Sequence, residues 1–206
     1  MSFDDIRRTR LGNEYEEMQR IQDTPVVSWI AEKGEPPFVE EYLVTFHVRT
    51  YISPDTTTNR CQLRIVLPER YPLESPVFTV VGTPVFNPAF FTNGQLGSYR
   101  YYPGYTLVDF LEYIFYLLQY CDECIDCNSF SNSEAGLWYR HNKDKPGLFP
   151  CDDKEFPFYR ELFEEETDTM PGEELSEAPA STFSAPGGSA EGEDDASLST
   201  MDLLYS

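Results

Sequence analysis

The sequence predicts an α+β domain: an N-terminal helix, a four-stranded antiparallel meander, then two or three C-terminal helices. Three observations predict it. Apolar residues recur at helical spacing between positions 6 and 21. Apolar and polar residues alternate through 42–52 and 61–67. Residues 107–118 are apolar on nearly every side, as in a buried helix.

The first helix begins at a Ser2/Asp5 capping box, and Ile6, Leu11, Tyr15, Met18 and Ile21 form its apolar stripe, with Arg and Glu on the other side. Gly12 weakens it slightly, and Asp23-Thr24-Pro25 ends it, because a residue before proline is pushed out of α geometry. "VVSWIAEK" reads as the first strand and "KGEPP" as a turn. A long second strand follows, with Tyr42, Val44, Phe46, Val48, Thr50 and Ile52 on one face. "SPDTTTN", residues 53–59, is a polar turn or loop. "CQLRIVL" puts Cys61, Leu63, Ile65 and Leu67 on one face; after the Pro-rich "PERYPLESP", "VFTVVG" is the fourth strand. A Thr106/Asp109 capping box opens the buried helix, and Ser131 with Glu134 makes a third box ahead of "AGLWYRHN". Residues 151–163 leave room for one more short helix.

The chain has 206 residues and a net charge of −21. Residues 164–206 hold 12 acids and no Lys or Arg, so −9 is left for residues 1–163. Two regions are therefore expected: a folded domain over 1–163 and an acidic disordered tail over 164–206, rich in Glu, Ser, Pro, Gly and Ala. The tail ends with a small apolar cluster, Met201, Leu203, Leu204 and Tyr205, of the kind that can dock a partner. Strong acidity excludes nucleic acid and anionic membrane as main partners. Five cysteines without an apolar leader suggest reduced thiols and a cytoplasmic protein. No cofactor is implied.

The order of elements, with four local motifs, resembles the ubiquitin-conjugating enzyme family over residues 4–145. "PERYPLESP" resembles the family's Tyr-Pro-x-x-Pro-Pro loop, with Tyr71, Pro72 and Pro76 in place and Ser75 for a proline. "TNGQL" resembles the Asn-Gly turn before the active-site cysteine. "YYPGYTL" resembles Trp-x-Pro-x-x-Thr-Leu, with Tyr101 for Trp and Pro103, Thr106 and Leu107 matching. "NSEAG" resembles the Asn-x-x-Ala start of the next helix. The sequence also resembles the ubiquitin-conjugating-like proteins of bacterial operons. The resemblance implies a UBC-like fold, with a ubiquitin-like protein and an activating enzyme or another conjugation-pathway protein as partners. On the first helix, Arg7, Arg8 and Arg10 would contact the activating enzyme, or else form an ordinary solvated face.

The resemblance fails where the chemistry would be. The family's His-Pro-Asn is Asn87-Pro88-Ala89 here, and its cysteine slot falls on Gly97. In the family that asparagine supports the oxyanion formed when an amine attacks a thioester, and Ala89 has no donor for it. The chain thus reads as a variant without the cysteine nucleophile, which binds a ubiquitin-like protein or conjugation partner. One alternative is an active enzyme carrying the ubiquitin-like protein as an oxyester on Ser98, which would need a base: His47, His141, Asp109 or a partner's group. A second is a zinc-stabilised scaffold. "CDECIDC" supplies Cys121, Cys124 and Cys127, and Cys151 or His141 could complete a site; buried apolar cysteines are the plainer alternative.

Overall fold

A computed structural model describes residues 2–97, 99–151 and 153–157. The chain divides into Met1–Asp168 and Thr169–Ser206, and every described residue belongs to the first unit. The expected tail with its terminal apolar cluster, and residues 158–163 of the possible extra helix, lie outside the described residues; 153–157 carry no helix.

The elements are α1 (Phe3–Arg20), β1 (Val27–Lys33), β2 (Glu41–Phe46), β3 (Thr50–Ser53), β4 (Thr56–Thr58), β5 (Cys61–Val66), β6 (Val77–Val81), α2 (Leu107–Leu118) and α3 (Ser133–Asn142); the first helix, the four-stranded meander and the later helices come in the order expected. Strands β1, β2, β5 and β6 form an antiparallel meander in that order. The register aligns Trp29, Val44, Leu63 and Val80 in one row and Ala31, Tyr42, Ile65 and Phe78 in the next. Helix α2 packs against this sheet through Phe110, whose ring centroid lies 5.8 Å from that of Phe78, and Phe115, 6.1 Å from Phe46. On α1, Met18 accepts a 2.7 Å hydrogen bond from the Trp29 indole. Both capping boxes expected for α1 and α2 are formed.

Three expectations are corrected. The long second strand is broken: β2 ends at Phe46, and the end of that expected strand joins most of the expected 53–59 loop in a separate two-stranded hairpin, β3–β4. Tyr51 explains the break. It leaves the sheet to pack against Trp138 at 4.9 Å and Tyr120 at 5.6 Å, and donates to the Leu148 carbonyl. The cap of α3 is Asn132, whose side chain accepts from Ala135 N at 3.1 Å, and Ser131 lies before it. On α1, Ile6 is 43% exposed while Glu14 is only 1% exposed, so the buried stripe includes a carboxylate.

That carboxylate joins three parts of the chain. Glu14 accepts from the Tyr71 hydroxyl and from the first backbone N–H of α2, at Leu107 (2.6 Å), and pairs with Arg10 at 2.7 Å. Burial pushes its carboxyl up, while the Leu107 N–H, Tyr71 and Arg10 pull it down. With Asp109 it places a second carboxylate at the positive end of α2.

Candidate functional site

The bend between β6 and α2 is a small tongue built by its own backbone. Phe91 N–H donates to Gln95 O and Gly94 N–H to Phe91 O, closing the Asn-Gly turn. Gly94 has φ 85°, and a Cβ there would stand 2.6 Å from the Val80 carbonyl, so only glycine suits this turn against β6. Phe90 pairs with Leu96 and Thr79 with Gln95, which attaches the tongue to the free edge of β6. Asn87, fully buried, fixes its base: the amide donates to Leu117 O at the end of α2 (2.8 Å), and its oxygen accepts from Ala89 N. Beyond the tongue, Tyr101 donates to Pro72 O at 2.6 Å and Tyr99 to Pro76 O, tying the chain to the 68–76 loop.

Gly97, the expected cysteine slot, is closed from the α3 side. Its N–H donates to Ala89 O at 2.8 Å. A Cβ at this position would overlap the Ser131 hydroxyl outright, lie 2.7 Å from Ser131 Cβ, and stand 3.0 Å from Ala89 O. Ser131 is held there because its N–H and that of Asn132 both donate to Pro88 O, at 2.9 and 3.1 Å. Sequence reasoning took Ser131 for a cap and missed this contact. The available signal was Asn132, an equally strong cap one residue on. Ser98 lies outside the described residues.

A cleft of about 60 Å³ is lined by Pro88, Ala89 and Ser131 together with Tyr113, Cys124 and Asp126. Cys124 is thus the described thiol that lines the same cleft as the tongue. It is a poor nucleophile there: burial, then Glu123 and Glu112, pushes its thiol up to about 11.

The other candidate residues are placed as follows. Cys121 is joined to Cys151 by a disulfide, where reduced thiols had been expected; the chain after α3 folds back on the end of α2 and brings their Cα atoms to 4.7 Å. Cys124 and Cys127 are free and half-buried. Among the described residues no three His, Cys, Asp or Glu side chains converge as metal ligands. Arg7 pairs with Glu40 at 2.8 Å, Arg10 binds Glu14 and the Tyr105 carbonyl, and exposed Arg8 lies over the Phe38 ring at 4.1 Å. The three arginines therefore face separate partners within the chain. His141 is exposed, one ring nitrogen 2.7 Å from the Leu137 carbonyl; His47 follows β2. Among the described residues, neither ring hydrogen-bonds to residues 87–97.

No family model matches the chain. No curated protein matches its sequence. Among solved structures, the human ubiquitin-conjugating enzyme E2 G1 is similar, with a TM-score of 0.43 and 16% sequence identity over 54% of this chain and 93% of that one. No helix among the described residues is long and apolar enough to cross a membrane.

Filling the slot measures how firmly it is closed. Gly97→Cys is expected to destabilise the chain by about 1–3 kcal/mol through overpacking. Adding Ser131→Gly, which removes both overlapping atoms, is expected to recover most of that loss. Urea unfolding of the single and double variants checks this; a fully stable Gly97→Cys single variant contradicts it.

Proposed function

We propose that this chain is a ubiquitin-conjugating-like protein without the cysteine nucleophile, which holds a ubiquitin-like protein or another member of a conjugation pathway. The observation that carries the reading is Gly97: at the expected cysteine slot a Cβ would overlap the Ser131 hydroxyl, so a side chain enters only if Ser131 moves. The order of elements supports it, as do the places of Tyr71-Pro72, the Asn93-Gly94 turn, the Thr106-Leu107 start of α2 and the Asn132 cap of α3. Contact with an activating enzyme falls first on Arg8, the exposed one of the three, since Arg7 and Arg10 are half-buried in ion pairs. Residues 164–206 carry 12 acids and no Lys or Arg, and their attraction for basic partner surfaces weakens with salt.

The alternative reading keeps an enzyme, with Ser98 carrying the ubiquitin-like protein as an oxyester. Of the bases considered for it, Asp109 is engaged in the Thr106 cap of α2, and His141 is held at the Leu137 carbonyl. The zinc scaffold has less support, with two of its four sulfurs bonded to each other.

The test mixes the full chain with an activating enzyme, its ubiquitin-like protein and ATP, followed by a non-reducing gel and a binding measurement. Binding without any adduct is the expected result. An adduct that survives thiol reductant, yields to hydroxylamine and vanishes in Ser98→Ala establishes the oxyester enzyme instead. A reductant-labile adduct that vanishes in Cys124→Ser overturns both readings and places the nucleophile in the cleft.

A further inference from the structure

A second cavity, about 600 Å³, also borders the Cys121–Cys124 turn. Its wall includes both halves of the Cys121–Cys151 disulfide and the free Cys124, so three sulfurs border one open space. Cys121 and Cys124 stand at the two ends of a single turn, Cys124 N–H donating to Cys121 O at 2.9 Å. Such a turn holds its end residues within about 7 Å, Cα to Cα, which overlaps the range a disulfide spans. Cys124 therefore lies at a chain spacing from which it can pair with Cys121.

We propose that Cys121, Cys124 and Cys151 form a thiol–disulfide exchange site, in which the pairing moves between Cys121–Cys151 and Cys121–Cys124. Deprotonated Cys124 attacks the Cys121 sulfur; the Cys124–Cys121 bond forms as the Cys121–Cys151 bond breaks. Cys151 leaves as a thiolate and takes up the proton that Cys124 gave to solvent. One disulfide and one thiol are present before and after, so neither oxidant nor reductant is consumed.

The two pairings differ in what they hold. Cys121–Cys151 ties the end of α2 to the chain beyond α3 across 30 residues, and that span includes Ser131, which closes Gly97. Cys121–Cys124 closes one turn and leaves the span untied. Burial of Cys124 and the charge around it set the rate. Its own turn carries Asp122 and Glu123, and Asp126 follows two residues on; α2 brings Glu112 and the Tyr113 hydroxyl, which donates to Cys124 O; Lys143 and Lys145 also line the cavity. Burial first, then Glu123 and Glu112, keeps the thiol protonated at neutral pH. Exchange is consequently slow at neutral pH and quickens as pH rises, because only the thiolate attacks.

The full chain, purified at pH 6 without reductant, is moved to a series of pH values, quenched in acid, alkylated and mapped by tryptic mass spectrometry. At the start Cys121 is cross-linked to Cys151. The expected result is that Cys151 becomes alkylated while the peptide holding Cys121 and Cys124 gains an internal disulfide. Its rate rises roughly tenfold per pH unit between pH 7 and 9, as for a thiol titrating well above that range. Cys124→Ser and Cys124→Ala abolish the exchange, whereas Cys61→Ser and Cys127→Ser leave it. Three results overturn the proposal: a cross-link that persists at every pH, Cys151 released equally fast in Cys124→Ser, or no Cys121–Cys151 bond in the starting protein.

Discussion

Glu14→Ala is expected to lower the stability of the folded chain by about 3–5 kcal/mol, the usual result of removing one partner from a buried ion pair. The magnitude follows from what the substitution leaves behind. The Leu107 N–H, buried at the start of α2, loses its acceptor, and so does the Tyr71 hydroxyl. Arg10, largely covered, loses its carboxylate and keeps only Tyr71 and the Tyr105 carbonyl. Each buried donor left unpaired costs about 1–3 kcal/mol, and more where a charge is involved. Glu14→Gln separates charge from shape. It keeps the volume and one acceptor oxygen but turns an NH₂ donor toward other donors, so an intermediate loss is expected. Urea unfolding followed by circular dichroism reads both, with a Tm fall on the order of 10 °C for the alanine variant. If Glu14→Ala unfolds at the parent's urea midpoint, Glu14 does not join α1, the 68–76 loop and α2 as described.

Breaking the Cys121–Cys151 bond is expected to cost about 3–4 kcal/mol, the loop-closure entropy returned to the unfolded chain by opening a loop of this length. Cys151→Ser isolates this effect. Cys121 keeps its place at the end of α2, and a serine fits the half-buried Cys151 site. Because the effect acts on the unfolded state, the folded spectrum should change little while the urea midpoint falls. Reductant should destabilise the parent by the same amount and leave Cys151→Ser unaffected. Equal urea midpoints for parent and variant in non-reducing buffer would show that the bond contributes nothing in solution. Cys121 and Glu14 meet opposite ends of α2, so the two losses should add in the double variant.

Much of the fold was legible because its signals are local. A Thr and an Asp three residues apart cap α2, and both hydrogen bonds they promise are made. Alternation in "EYLVTF" and "CQLRIV" put Tyr42, Val44 and Phe46 opposite Ile65, Leu63 and Cys61 on one buried face. The Asn93-Gly94 turn was readable as well, since its demand for a positive φ is met within two residues.

What the sequence alone determined, then, was the order and type of the main elements, the apolar face of the four-stranded sheet, and a bend with no cysteine. Tertiary structure alone decided that β2 stops at Phe46, that Glu14 is buried, that Ser131 fills the space beside Gly97, and that Cys121 meets Cys151. The physical reason is one of range. Periodicity and capping depend on neighbours within a turn or a strand pair. Glu14 is stable inside only because Tyr71 and Leu107, 57 and 93 residues away, supply donors to it. Gly97 is closed only because Pro88 holds Ser131 in place. No local pattern records which distant group arrives to satisfy a charge or occupy a space.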